Sequence, residues 1–178
     1  IRAVIEEKNP DLAGRDEVAR QVGVGAIIFS VLATRRTKDV DITFEDILNF
    51  EGHTGPYVQY THARCASILR RAGGVPETAD LSLLSHPEEW EVAKMVGSFA
   101  DRVALAGRDA EPSVVAQYLL SLCEAFSRYY NLGSGDPTLK VLTEDAPTAA
   151  ARLTLVAGVR EVLARGLWLL GIGAPEEM

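Results

Sequence analysis

The feature that most constrains the fold is the spacing of apolar residues, which recur every three to four positions through long segments. This spacing predicts main helices over 16–34, 54–72, 87–106, 112–130 and 147–170. Proline, glycine or a capping residue bounds most of these segments, and Thr54 with Pro56 is the clearest helix start. We therefore predict an all-α fold, a helical bundle with polar loops and no strand-rich region.

The connections between these helices are predicted to be short and polar. Residues 37–44 read as an extended connector, and 44–50 as a short helix with Phe44, Ile47 and Leu48 facing inward. Glycine and proline predict loops over 73–86 and 131–146. A break near residues 49–54 is the candidate domain boundary, dividing the chain into 1–49 and 50–178.

Composition predicts a soluble globular protein of a reducing, cytoplasmic compartment. The chain has 178 residues, 47% of them hydrophobic and 24% charged, and no apolar run long enough to cross a membrane. Cys65 and Cys123 both lie in apolar helical settings, which is typical of buried free thiols. The chain begins at Ile1 rather than at methionine, so we interpret it as a piece of a longer protein.

No motif for catalysis or metal binding stands out in the sequence. There is no phosphate-binding glycine loop, no Gly-x-Ser-x-Gly and no His-Glu-x-x-His. His53, His62 and His86 lack the spacing of metal ligands, so we predict no metal site. The segment is predicted to be non-catalytic by itself.

The net charge of −7 argues against binding nucleic acid through bulk charge. The charge is unevenly distributed: residues 1–72 hold ten basic and ten acidic side chains, whereas residues 73–178 hold eight and fifteen. A nucleic-acid-binding role would therefore be local, through basic patches near residues 35–38 and 64–71.

Residues 50–64, FEGHTGPYVQYTHAR, place two tyrosines and an arginine one helical turn apart. At about 100° per residue, one side of this helix carries Tyr57, Tyr60, Arg64, Ser67 and Arg71. A more apolar side carries Val58, His62, Cys65, Leu69 and Ala72. Aromatic rings beside guanidinium groups suit unstacked RNA bases and phosphates.

This stretch resembles the arginyl-tRNA synthetases, class I aminoacyl-tRNA synthetases, which carry Phe-Glu-Gly-Asn-Thr-Gly-Pro-Tyr-x-Gln-Tyr-x-His-Ala-Arg there. His53 is a departure, since asparagine is usual at that position. The similarity extends upstream through 22–27 and 36–40, and downstream through 119–130 and 155–178. The family's HIGH-type and KMSK-type nucleotide-binding motifs are missing, which would make this chain the C-terminal segment.

The resemblance implies the helical anticodon-binding domain that is named for an Asp-Ala-Leu-Arg pattern, at 50–178. Residues 1–49 would be a helical part of the catalytic half. The implied partner is tRNA(Arg), with no DNA and no membrane, and the implied oligomeric state is a monomer. The full-length enzyme would use ATP with Mg²⁺ and arginine, and this segment would hold no cofactor.

The resemblance also implies which residues bind the anticodon loop. These residues are Tyr57, Tyr60, Arg64, Tyr130 and Met178. Charge alone adds candidate phosphate contacts. These candidates are Arg35, Arg36, Lys38, Arg70 and Arg71. For the group at 35–38, an ordinary solvated loop remains as open as a contact with the tRNA stem.

Simpler structural roles stay open for several of these residues. Tyr57 and Tyr60 could be residues at the edge of the core, and Tyr130 could serve packing as readily as RNA contact. Trp90 and Trp168 are expected to pack between helices, and His62 to be buried and hydrogen-bonded. Two other functions also remain: a catalytically inactive synthetase-like module that binds tRNA or protein, and a helical interaction domain without RNA binding.

Overall fold

The computed structural model describes residues 1–41, 43–50 and 52–178, and this part of the chain contains only helices, turns and loops. The helices are α1 (Arg2–Lys8), α2 (Arg15–Ala33), α3 (Phe44–Ile47), α4 (Gly55–Arg71), α5 (Pro87–Gly97), α6 (Phe99–Asp109), α7 (Ser113–Gly135) and α8 (Ala146–Leu169). Single 3₁₀ turns occupy Leu81–Leu83 and Pro137–Leu139. The predicted all-α bundle is confirmed.

Two predictions fall partly outside the described residues. Ile42, in the predicted extended connector, and Glu51, in the 50–64 segment, are not among them, and neither is the side chain of Phe44. Ile47 is buried as expected, but α3 ends there rather than at residue 50.

The prediction of one helix over 87–106 is wrong, because Ser98 separates α5 from α6. The Ser98 hydroxyl donates a hydrogen bond to Met95 O at 2.9 Å, which offers the backbone an alternative to the helical ladder. Helix α6 then runs past Gly107 to Asp109 and ends at Ala110, whose φ of 50° is left-handed. Helix α7 is longer than predicted and reaches Gly135.

Side-chain caps fix the beginnings of α4, α8 and α5. The Thr54 hydroxyl accepts a hydrogen bond from Tyr57 N at the start of α4, as predicted. Asp145 caps α8 in the same way by accepting from Thr148 N. His86 and Glu89 form a reciprocal capping box at α5.

The core lies where α4, α7 and α8 meet, with α2 and α5 packed against them. Helix α2 approaches α4 closely at two glycines. A Cβ added at Gly55 would lie 2.8 Å from Cβ of Phe29, and one at Gly25 would lie 3.0 Å from Nε2 of Gln59 on α4 and 2.9 Å from Cγ2 of Ile172, which follows α8. The boundary near residue 50 stays a prediction. Helices α2 and α4 lie on opposite sides of it in the sequence and pack against each other.

The expectation that Trp90 and Trp168 pack between helices is wrong. Trp168 is 75% exposed and Trp90 is 53% exposed. The inner face of α8 is occupied by residues such as Leu163 and Leu167, and the next position along a helix is turned by about 100°. Periodicity therefore identifies α8 correctly but leaves Trp168 on its outer side.

The two cysteines are buried free thiols, as predicted. Burial raises the pKa of the Cys123 thiol to about 12 and the pKa of the Cys65 thiol still further, so both stay protonated. None of the described helices is both long and apolar enough to cross a bilayer.

Candidate nucleic-acid interface

Two adjoining cavities open along the outer face of α4, and together we call them the Tyr60 groove. The first, of about 510 Å³, is lined by side chains of α4 and α7 and by the chain after α8. The second, of about 420 Å³, shares Tyr60, Arg64 and Met178 with the first. All five residues that the resemblance implied line one or both cavities. They are Tyr57, Tyr60, Arg64, Tyr130 and Met178.

Arg64 lies between two aromatic rings at the centre of this groove. Its guanidinium carbon is 4.8 Å from the centroid of the Tyr60 ring and 5.4 Å from that of Tyr130. Its Nη2 also donates a hydrogen bond to the Tyr60 hydroxyl at 3.1 Å. A guanidinium held over aromatic faces is a flat cationic surface that suits base stacking and phosphate pairing alike.

The three tyrosines of the groove differ in hydrogen bonding, ring packing and exposure. The Tyr57 hydroxyl shares a hydrogen bond of 3.1 Å with Ser127 Oγ, and burial raises the pKa of Tyr57. Tyr130 packs its ring against Phe126, with centroids 6.0 Å apart, while also lining the groove. Core packing and groove lining are thus both realised at Tyr130. Tyr60 is the most accessible of the three, at 38% exposure.

The basic residues predicted near the end of α4 do reach the groove. Arg70 and Arg71 both line the first cavity. Arg70 is engaged by the chain after α8, since it donates to Glu176 O and lies 3.1 Å from a carboxylate oxygen of Glu177. Arg71 also lines a third cavity of about 410 Å³ that continues past Tyr130 to Lys140.

Arg35 and Arg36 lie apart from the Tyr60 groove. They line a separate cavity of about 980 Å³ whose walls carry both arginines and carboxylates, and Arg36 lies 4.0 Å from Glu111. Lys38 is exposed and lines neither this cavity nor the groove. The carboxylates in this wall offset part of the positive charge of Arg35 and Arg36.

Two residues that line these cavities, Asn9 and Lys140, were not predicted from the sequence. Asn9 follows α1, lines both cavities of the groove and donates a hydrogen bond to Met178 O at 3.3 Å. Lys140 is a single basic residue in a polar loop, and nothing local distinguishes it from solvated lysines. Only the packing of that loop beside α7 reveals its position.

The described residues contain no cluster of three side chains that could hold a metal ion. His53 pairs with Glu124 at 2.9 Å and His86 caps α5. His62 is buried and hydrogen-bonded, as expected.

This helical bundle carries a groove that combines aromatic rings with guanidinium groups, the chemistry that unstacked RNA bases and phosphates require. Comparison with known proteins specifies the family. The family model described as "DALR anticodon binding domain" matches residues 58–178, and the chain belongs to this family. Its relatives are arginine–tRNA ligases. The protein from Levilactobacillus brevis is 51% identical over 98% of this chain, and that from Enterococcus faecalis is 47% identical over 98%. The predicted resemblance to arginyl-tRNA synthetases is thereby confirmed.

Solved structures agree with this assignment. The chain matches the arginyl-tRNA synthetase of Thermus thermophilus with a TM-score of 0.93 and 46% identity over 99% of its length. The arginyl-tRNA synthetase of Plasmodium falciparum shares the fold, with a TM-score of 0.76 at 20% identity. The chain spans about 30% of the length of the curated relatives and of both structures.

Proposed function

We propose that this chain is the C-terminal anticodon-binding segment of an arginyl-tRNA synthetase. In that role it holds the anticodon loop of tRNA(Arg) while a catalytic half attaches arginine to the tRNA, using ATP with Mg²⁺. The observation that carries the proposal is the assembly of Tyr57, Tyr60, Arg64, Tyr130 and Met178 in one groove. The segment itself performs no catalytic step and holds no cofactor.

The groove offers the chemistry that a splayed RNA loop requires. Tyr60 and Tyr130 present aromatic faces, and stacking of a base on such a face contributes about 1–3 kcal/mol. Arg64 between them pairs with a phosphate or a base edge. Arg71 adds a cation at the rim, where a neighbouring phosphate of the loop would pass.

The family resemblance also suggests the compartment, the oligomeric state and the partners of the protein. The protein works as a cytoplasmic monomer, with neither DNA nor a membrane as a partner. Arg35, Arg36 and Lys38 are proposed to meet the tRNA stem rather than the loop, because they lie apart from the groove. Their contribution is small, since the carboxylates around them offset their charge.

The test is a fluorescence-anisotropy titration of a labelled anticodon stem-loop of arginine tRNA with this chain, at low and moderate salt. A loop with the middle anticodon base changed is the control. We expect preference for the cognate loop and an affinity that falls with salt, because phosphate contacts release counterions. Equal, salt-independent binding of both loops, or no binding of either, would contradict the proposal.

The alternative of a catalytically inactive module predicts the same binding without aminoacylation. Charging of tRNA with arginine by the longer protein that carries this segment separates the two. Activity that is lost together with loop binding in groove variants supports the synthetase, whereas loop binding without any charging supports the inactive module.

A further inference from the structure

Two polar side chains of the 50–64 segment are buried away from the groove. Gln59 and His62 lie one turn apart on α4 and are at most 1% exposed. Neither lines the Tyr60 groove, so contact with an RNA loop does not explain them. A buried polar group is costly unless it is hydrogen-bonded, and an apolar residue would fill the same space without that cost.

Both side chains bind the segment 171–178, which follows α8 and which we call the tail. Gln59 Nε2 donates a hydrogen bond to Gly173 O at 2.7 Å. His62 Nδ1 lies 2.9 Å from Pro175 O and, because a carbonyl only accepts, carries the proton. The two donors of α4 thus match two carbonyls of the tail that are two residues apart.

The tail is held on both sides of these bonds. Before them, Ile172 is buried against α2, at the close approach of Gly25. After them, Glu176 pairs with Arg160, and Arg70 donates to Glu176 O at 3.1 Å. Along this path the tail crosses α4 from the core to the groove, where Met178 lies.

We infer that Gln59 and His62 are positioning residues, which anchor the tail across α4 so that Met178 forms a wall of the Tyr60 groove. One helix then has two separate tasks. Its outer face offers Tyr60 and Arg64 to the RNA, and its buried polar pair places a wall that comes from more than a hundred residues away. The inference rests on the proposed function for its consequence in RNA binding, but the anchoring itself is independent of it.

The first test measures directly whether the tail is held in place, and it uses no RNA. The chain contains two methionines, Met95 and Met178, so ¹³C-methyl-methionine labelling gives two NMR signals, with Met95 as the internal reference. In His62→Ala and in Gln59→Leu, which both lack the donor, the Met178 signal should sharpen and move toward that of a free methionine. The Met95 signal should not change.

Matched variants separate anchoring from general disturbance of α4. Thr61 is also buried on α4, but its hydroxyl bonds within its own helix to Tyr57 O, so Thr61→Ala should leave the Met178 signal in place. His62→Asn keeps a donor and should restore part of the wild-type signal. A Met178 signal unchanged in both His62→Ala and Gln59→Leu, with circular dichroism showing folded chains, would overturn the inference.

The second test is a double-mutant cycle in the stem-loop titration. His62→Ala should weaken binding roughly three- to tenfold in the wild-type chain and have little further effect beside Met178→Ala, since both changes remove the same wall. Fully additive losses would overturn the inference. If the wild-type chain binds no stem-loop, the proposed function fails, and the NMR arm still decides whether the tail is anchored.

Discussion

Arg152 Nε donates a hydrogen bond to Glu89 Oε1 at 2.6 Å, and both side chains are almost completely excluded from solvent. Arg152 Nη1 also donates to Thr138 O at 2.6 Å and to Lys140 O at 2.9 Å. The other carboxylate oxygen of Glu89 accepts from His86 N. This one pair therefore ties α5 and α8 to the loop that carries Lys140 along the edge of the site.

Breaking this pair should be strongly destabilising. Arg152→Met leaves Glu89 buried without its cation, and such a loss costs about 3–5 kcal/mol. Urea unfolding measures it. The matched control is Arg165→Met, which removes an exposed partner of Glu161 and should cost under about 1 kcal/mol. Similar, small losses in both variants would contradict a structural role for the buried pair.

Gly166 of α8 should not tolerate a side chain. A Cβ there would lie 2.4 Å from Leu119 Cδ2 and 2.9 Å from its Cδ1, so Gly166→Ala should cost about 1–3 kcal/mol by overpacking. Gly107 of α6 faces open space, and Gly107→Ala should stabilise the chain by up to about 1 kcal/mol. Thermal unfolding of the two variants should therefore shift in opposite directions, and a shared direction would count against this packing.

Tyr60→Ala should weaken binding of the anticodon stem-loop by about 1–3 kcal/mol, the contribution of one stacked base. Tyr60 is 38% exposed, so helix content measured by circular dichroism should not change. Trp168→Ala is the control, because Trp168 is an exposed aromatic residue that lines neither cavity of the groove. Unaltered affinity in Tyr60→Ala would rule out the assigned stacking face.

Arg64→Lys should weaken loop binding even though the positive charge is kept. A lysine cannot reproduce the planar guanidinium that lies between the Tyr60 and Tyr130 rings. The dependence of affinity on salt should stay close to that of the wild type, because the number of cations is unchanged. Arg71→Lys is the comparison, since a point charge suffices at the rim. Wild-type affinity in Arg64→Lys would show that charge alone acts there.

Acidification should loosen the tail and lower the stability of the fold. Burial lowers the pKa of His62 and Arg160 lowers it further, against the opposing influence of the hydrogen bond to Pro175 O and of the Glu176 and Glu161 carboxylates. Because the unfolded chain binds this proton near its ordinary pKa of about 6.5 and the folded chain binds it only at lower pH, stability falls as the pH drops below that value. Above it, both states are neutral and His62 contributes no pH dependence.

The measurement is urea unfolding at pH values on either side of 6.5, with the Met178 methyl signal recorded in parallel. His62→Asn, which does not titrate, should lose this part of the pH dependence. If the wild type and His62→Asn change equally with pH, other groups are responsible for the effect.

The sequence was a good guide where structure is local. The apolar spacing, the Thr54 cap and the helix-start proline Pro147 predicted α2, α4 and α8 within about two residues, because helix periodicity and start signals depend only on near neighbours. The break at Ser98 was missed, since a serine is compatible with a continuing helix until its hydroxyl bonds back to the preceding turn. The exposure of Trp90 and Trp168 was missed because hydrophobicity alone does not say which face a neighbour covers.

By itself, the sequence determined that the chain is a helical bundle and that one helix carries Tyr57, Tyr60 and Arg64 on one side. The family resemblance of the 50–64 motif also implied Tyr130 and Met178 as site residues, but it did not show how these residues come together with α4. Only the tertiary structure brought the tail across α4, through Gln59 and His62, and placed Asn9 beside Met178. Those contacts join residues more than a hundred positions apart, and their partners are backbone carbonyls, which every residue carries, so no sequence pattern marks them.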